Sequence, residues 1–169
     1  QSTLWTIPDN WTPVGTPSSI SNIIIPDAST TLNSPTLPAS AEIKTLTIEN
    51  AGVLNTVANE QLTVNGDNGA WNNAGGTYNP GTSNVIFTGA AGTISGITNF
   101  YDVTINPGAD FRVTGGNTMR IAGTMTNNGT WHAVIGIPTT VEYNGGDQTI
   151  VVPNSTTNRY SNLILSGSG

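Results

Sequence analysis

Val85-Ile86-Phe87-Thr88-Gly89, followed by Thr93-Ile94, returns as Val141-Glu142-Tyr143-Asn144-Gly145, followed by Thr149-Ile150, an offset of 56 from position 85 to position 141. Two further matches support it at an offset of 57: Leu46-Thr47-Ile48 with Val103-Thr104-Ile105, and Leu62-Thr63-Val64-Asn65-Gly66 with Met119-Arg120-Ile121-Ala122-Gly123. Self-similarity at a fixed period marks repeat architectures. Within each copy the apolar residues alternate with Thr, Arg or Glu, the period-2 pattern of strands with one face buried.

The inward-facing triplets begin at Ile23, Leu46, Leu62, Val85, Val103, Met119, Val141 and Leu163. Their mean spacing, about 20 residues, suits one turn of a β-helix and exceeds the roughly 8–12-residue strand spacing of a sandwich. The chain therefore reads as all-β, a parallel β-helix (β-solenoid) of about 7–8 coils. An antiparallel sandwich is the competing fold, in which each Asn-Gly would mark a hairpin. The pattern places Leu46/Ile48, Leu62/Val64, Val85/Phe87, Val103/Ile105, Phe111/Val113, Met119/Ile121 and Leu163/Leu165 inside. Thr47, Thr63, Thr104, Arg112, Arg120 and Glu142 face outward.

Composition agrees. Thr, Asn, Gly and Ser supply 81 of the 169 residues, which favours short strands and turns over helices. In stacked coils like charges would repel, whereas Thr and Asn can hydrogen-bond from rung to rung. Asn65-Gly66, Asn127-Asn128-Gly129 and Asn144-Gly145-Gly146 are expected as corners using positive φ. Residues 1–40 differ: six prolines crowd them and Trp5 and Trp11 lie near their start. They read as an irregular N-terminal cap over the first open coil, with residues 41–169 as the solenoid body. At the other end Leu163-Ile164-Leu165-Ser166-Gly167 matches Val103-Thr104-Ile105-Asn106-Pro107, which raises self-association through solenoid ends, or contact with further domains of the same protein.

The net charge is −6, and Lys44, Arg112, Arg120 and Arg159 are the only Lys or Arg residues, so no basic groove for nucleic acid is available. Cysteine is absent, excluding disulfides and thiolate metal sites. No run of 18 apolar residues suggests membrane insertion through a helix. Gln1, a residue often left after signal cleavage, and the lysine-poor composition make secretion to an extracellular surface the expectation.

Asn10-Trp11-Thr12-Pro13, Gly15-Thr16-Pro17, Ser21-Asn22-Ile23-Ile24-Ile25-Pro26 and Ile43-Lys44-Thr45-Leu46-Thr47-Ile48 come in an order that resembles repeat regions of secreted and cell-surface adhesin-like proteins of Bacteroidetes-type bacteria. Gln148-Thr149-Ile150 leading to Tyr160-Ser161-Asn162-Leu163, with its counterpart Thr93-Ile94 leading to Phe100-Tyr101-Asp102-Val103, is similar to a motif of the same regions. The resemblance implies an exported β-helical module, embedded in adhesin-like or carbohydrate-handling proteins. It implies no catalytic residues.

Chemistry is sparse. A glycosidase needs two facing carboxylates; Asp102 and Asp110 are the nearest candidates, with no His or Lys beside them in sequence. A lyase needs a base, for which Arg112 or Arg120 is the outward option. None of the acids recurs at the repeat offset, so the expectation is a non-enzyme with solvated surface charge. Asn65-Gly66-Asp67-Asn68-Gly69 is rich in oxygen like a calcium loop, but it holds one carboxylate and reads as a corner. His132 has no partner with which to build a triad or zinc site. No metal and no cofactor are expected. Outward Thr-x-Thr pairs recur too irregularly for an ice-binding face. The alternative function is carbohydrate binding, with polysaccharide as partner, through Trp71, Trp131 or Tyr101 as stacking platforms; the same aromatics equally fill a solenoid core. The leading reading is a non-catalytic structural or adhesive module of a surface protein or filament.

Overall fold

A computed structural model describes residues 2–29, 34–133, 137–156 and 159–168. Gln1, read above as a processed start, lies outside them. The chain winds as a β-solenoid of about six turns, close to the number expected. The first rung is β1 (Asn22–Ile25). The next turn holds β2 (Ser40–Ile43), β3 (Thr45–Ile48) and β4 (Val53–Asn55), and the one after it β5 (Gln61–Val64), β6 (Trp71–Asn73) and β7 (Thr77–Asn79). Then come β8 (Asn84–Phe87) and the long β9 (Gly92–Phe100), followed by β10 (Asp102–Ile105), β11 (Asp110–Val113) and β12 (Thr118–Ile121). The last full turn holds β13 (Met125–Asn127), β14 (Thr130–His132) and β15 (Thr140–Tyr143), and β16 (Asn162–Leu165) lies over β15.

Every strand pair among the described residues is parallel. This removes the sandwich, whose hairpins would be antiparallel. Three faces result. β1, β3, β6, the front of β9, β11 and β14 form one; β2, β5, β8, β10 and β13 form the second; β4 and β7, then the back of β9, β12, β15 and β16, follow each other on the third. β9 serves two faces because it bends at Gly96, whose φ is +82° and where a Cβ would strike the Asn73 carbonyl. Only glycine satisfies both demands.

The turn varies in length. Val85 pairs with Val103, an offset of 18, whereas Leu46 pairs with Trp71, an offset of 25. The sequence repeat is therefore not a whole number of turns. Leu46 lies on β3 but Val103 on β10, Leu62 on β5 but Met119 on β12, and Val85 on β8 but Val141 on β15. Each step advances two turns and two faces, so the repeated unit is a run of strands that starts on a different face each time.

The alternation holds along almost the whole body: Leu46, Ile48, Leu62, Val64, Val85, Phe87, Val103, Ile105, Phe111, Val113, Met119 and Ile121 are all buried. Leu163 and Leu165 are the exception, 38% and 62% exposed, because no rung lies over β16 among the described residues. Aromatic rings run through the interior. Phe87 stacks on Phe111 at 4.0 Å and Phe111 on Trp131 at 5.7 Å, while Trp71 meets Phe100 at 4.9 Å and Tyr78 at 5.0 Å. Such pairs contribute about 0.5–1.5 kcal/mol each beyond burial.

The expected glycine corners work by another mechanism. Gly66, Gly129 and Gly145 do not have positive φ. They are small because the neighbouring coil passes close: a Cβ on Gly66 would strike the Lys44 carbonyl, one on Gly129 the Asn106 and Ala109 carbonyls, and one on Gly145 the Ala122 carbonyl.

At the N-terminal end the regular rungs begin at β1, inside the segment read as a cap. Ahead of it Trp5 is buried in the core, its ring 4.7 Å from that of Trp11, whose Nε1–H donates to the Trp5 carbonyl. Leu4 and Thr36 form parallel bridges leading to Asn55 of β4. The prolines lie in the irregular path around these contacts, where missing N–H groups interrupt no ladder.

Candidate functional site

Outward side chains repeat at the same register as the strands, so they form columns. Thr45 Oγ1 donates to Asn22 Oδ1 at 2.9 Å, Asn79 Nδ2 to Asn55 Oδ1 at 2.8 Å, Ser95 Oγ to Asn72 Oδ1 at 2.8 Å, and Thr82 Oγ1 to Asn59 Oδ1 at 3.0 Å. These neutral pairs bond rung to rung without bringing like charges together.

Among the described residues two charged clusters interrupt the columns. Asp110 and Arg112, two apart on β11, point to the same side. Arg112 Nε and Nη2 donate to the two Asp110 oxygens at 2.8 and 2.9 Å. The register sets His132 of β14 beside Arg112, and its Nε2 lies 3.2 Å from Asp110 Oδ2. The Arg112 guanidinium, with help from His132, holds the Asp110 carboxyl below its ordinary value, and Asp110 raises Arg112 in turn. Sequence reading had found no histidine beside the acids. The pairing of Phe111 with Trp131, one turn further along the chain, is the signal that brings them together, and the longer repeat offset hides it.

The second cluster lies on the third face. Arg120 Nε donates to Glu142 Oε2 at 2.7 Å, and Ser166 Oγ donates to Glu142 Oε1 at 2.6 Å. Ser166 first and Arg120 second lower the Glu142 carboxyl. Asp102 and Asp110, the pair considered for glycoside chemistry, stand on different faces; Asp102 Oδ1 accepts the Thr124 N–H at 2.5 Å. Asp67 accepts the Ala91 N–H of the next coil at 3.0 Å, binding coil to coil at the corner read above as a calcium-like loop. Among the described residues no three His, Cys, Asp or Glu side chains gather as a metal site.

The aromatic platforms are redistributed. Trp71 and Trp131 are fully buried on β6 and β14, so neither can present a face to a sugar ring. Asn72-Asn73 and Gly129-Thr130 flank them with the residue types of corners, but in the fold those neighbours are strand or rung-contact residues. Trp71 Nε1–H donates to the buried Thr98 Oγ1 at 3.1 Å. Tyr101 alone of the three stays partly exposed, its ring edge packed over Gly123.

Two concavities lie at the ends of the solenoid. A groove of about 680 Å³ runs beside β1, walled by Trp11, Pro13, Pro17 and Ile24. A smaller one of about 410 Å³ lies beside β16, against Tyr143, Ile150 and Leu165. Neither is lined by Asp110, Arg112 or His132. That trio, with both carboxylate oxygens engaged, acts as a clamp between two rungs. Comparison with protein-family models, curated proteins and solved structures found no match to this chain.

Proposed function

We propose that the chain is a non-catalytic structural or adhesive module of an exported surface protein or filament, of the kind its motifs resemble. The observation that carries this reading is the division of the surface. The sides carry columns of mutually bonded Asn, Thr and Ser, with scattered ion pairs and single exposed apolar residues such as Ile97, whereas the two grooves and the apolar edge strands β1 and β16 lie at the ends. Such a body has few groups poised for chemistry and many poised for stacking. Six turns at about 4.8 Å span only about 29 Å. The accessible surface, 7975 Å² for 17.5 kDa, matches the roughly 7,900 Å² of an ordinary compact protein of that mass. Reach therefore comes from adding coils, by further chain or further copies.

The test is incubation with neutral and acidic polysaccharides, following chain length and unsaturated-sugar absorbance. No turnover is expected. Turnover that disappears in Asp110→Asn or His132→Gln, with the fold kept by circular dichroism, would overturn the reading and make the clamp an active site.

A further inference from the structure

We infer that the outer edge of β16 in one copy pairs in parallel with the outer edge of β1 in a second copy, Asn162 against Asn22 and Leu165 against Ile25. This rests on the structural reading above and names its partner and register. Among the described residues each strand is paired on one side, β1 with β3 and β16 with β15. Exposed edges are normally blunted by charge, proline or a bulge. Neither strand has any of these. They instead carry the same pattern, Asn22-Ile23-Ile24-Ile25 and Asn162-Leu163-Ile164-Leu165, with outward Ile24 57% and Ile164 43% exposed.

The asparagines are complementary. Asn22 spends its oxygen on Thr45 of its own β3, which turns its amide N–H group toward the open edge. Asn162 does the reverse: its Nδ2 donates to Thr140 of β15 at 3.4 Å, leaving its oxygen toward the other edge. A join in this register sets a donor against an acceptor, as Asn79 and Asn55 are set on adjacent rungs within the chain. The groove between β1 and residues 11–17 borders this edge, where Ile23 and Ile25 are already covered, and at the other end Leu163 and Leu165 are exposed beside β16. Because β1 belongs to the first face and β16 to the third, each added copy is turned by one face. The contact is head-to-tail, so it builds an open stack.

Light scattering across a concentration series tests this, with Ile24→Lys and Ile164→Glu as variants. Both positions are exposed in the free chain, and circular dichroism checks that the fold is kept. The unsubstituted chain is expected to gain mass with concentration, and either variant alone to associate about fivefold more weakly, since a charge set opposite isoleucine replaces an apolar cross-strand pair. Mixing the two should restore at least a one-to-one complex, because the unsubstituted β16 of the Ile24→Lys chain then meets the unsubstituted β1 of the Ile164→Glu chain. As the chain has no cysteine, Ile24→Cys mixed with Ile164→Cys should form a disulfide faster than Asn22→Cys mixed with Ile164→Cys. A monomer at every concentration, association indifferent to Ile24→Lys, or equal cross-linking out of register would overturn the pairing. Those results leave the structural reading standing, while polysaccharide turnover would remove that reading even if copies stack.

Discussion

Three glycine-to-alanine substitutions separate the roles glycine plays in this solenoid. A methyl group on Gly89 would overlap the Gly66 carbonyl one coil away, so the two rungs must move apart. Overpacking of this kind costs about 1–3 kcal/mol. Weakening the bond from the Asp110 N–H to the Gly89 carbonyl adds about 1 kcal/mol. The lower entropy of the unfolded alanine chain returns about 0.4–1 kcal/mol, which leaves a net loss of about 1–3.5 kcal/mol. Gly108 has φ +84° and open space around its Cβ position. There alanine meets only left-handed strain of about 1–2 kcal/mol, partly offset by the same entropy, for a net loss of about 1 kcal/mol. Gly146 has neither constraint, its nearest neighbour being the Ser168 carbonyl at 3.9 Å, so Gly146→Ala should be neutral or slightly stabilising. Urea unfolding followed by circular dichroism, with the slope held common, reads all three. If Gly89→Ala were no more destabilising than Gly146→Ala, the argument that glycine lets successive coils approach would fail.

Trp71→Ala should lower stability by about 3–5 kcal/mol in the same assay, because it empties a site packed by Tyr78 and Phe100; a near-neutral effect would contradict its burial. Asp110→Asn should cost about 1 kcal/mol at neutral pH, the range of a partly exposed ion pair. The Asp110 carboxyl is depressed in the fold, so its contribution is present above the unfolded value near 3.9 and fades as pH falls through the folded one. The stability curves of the two proteins should therefore converge in acid; a gap that stays constant would refute the assignment. Burial pushes the Tyr78 hydroxyl up to about 12 while it bonds Ser83 at 2.7 Å. A raised tyrosine stabilises the fold fully below about pH 10 and loses that contribution as pH rises toward 12. Ultraviolet titration of the phenolates should show Tyr78→Phe removing a late, unfolding-linked step; a titration unchanged by the substitution would contradict the burial of this hydroxyl.

Strand composition and alternation were legible without coordinates because they are local. Val85-Ile86-Phe87 and Val103-Thr104-Ile105 state which side chains turn inward whatever lies around them, and a shortage of Lys and Glu suits columns in which like residues stack. The glycines were visible too, but their purpose was not. Whether Gly66 answers to its own φ or to a carbonyl one coil away depends on a neighbour a full turn distant along the chain.

Sequence alone thus determined that the chain is all-β, that it winds, and that its outer columns are Asn and Thr. Only the tertiary structure decided how strands distribute among three faces. Corners of different length let the turn stretch from the short step between Val85 and Val103 to the long one between Leu46 and Trp71, while the sequence repeat keeps its own offset. That slippage carries Trp71 and Trp131 from apparent corners into the core and brings His132 against Asp110. Which residues stack is set by the summed length of every corner between them, a quantity that no single motif contains.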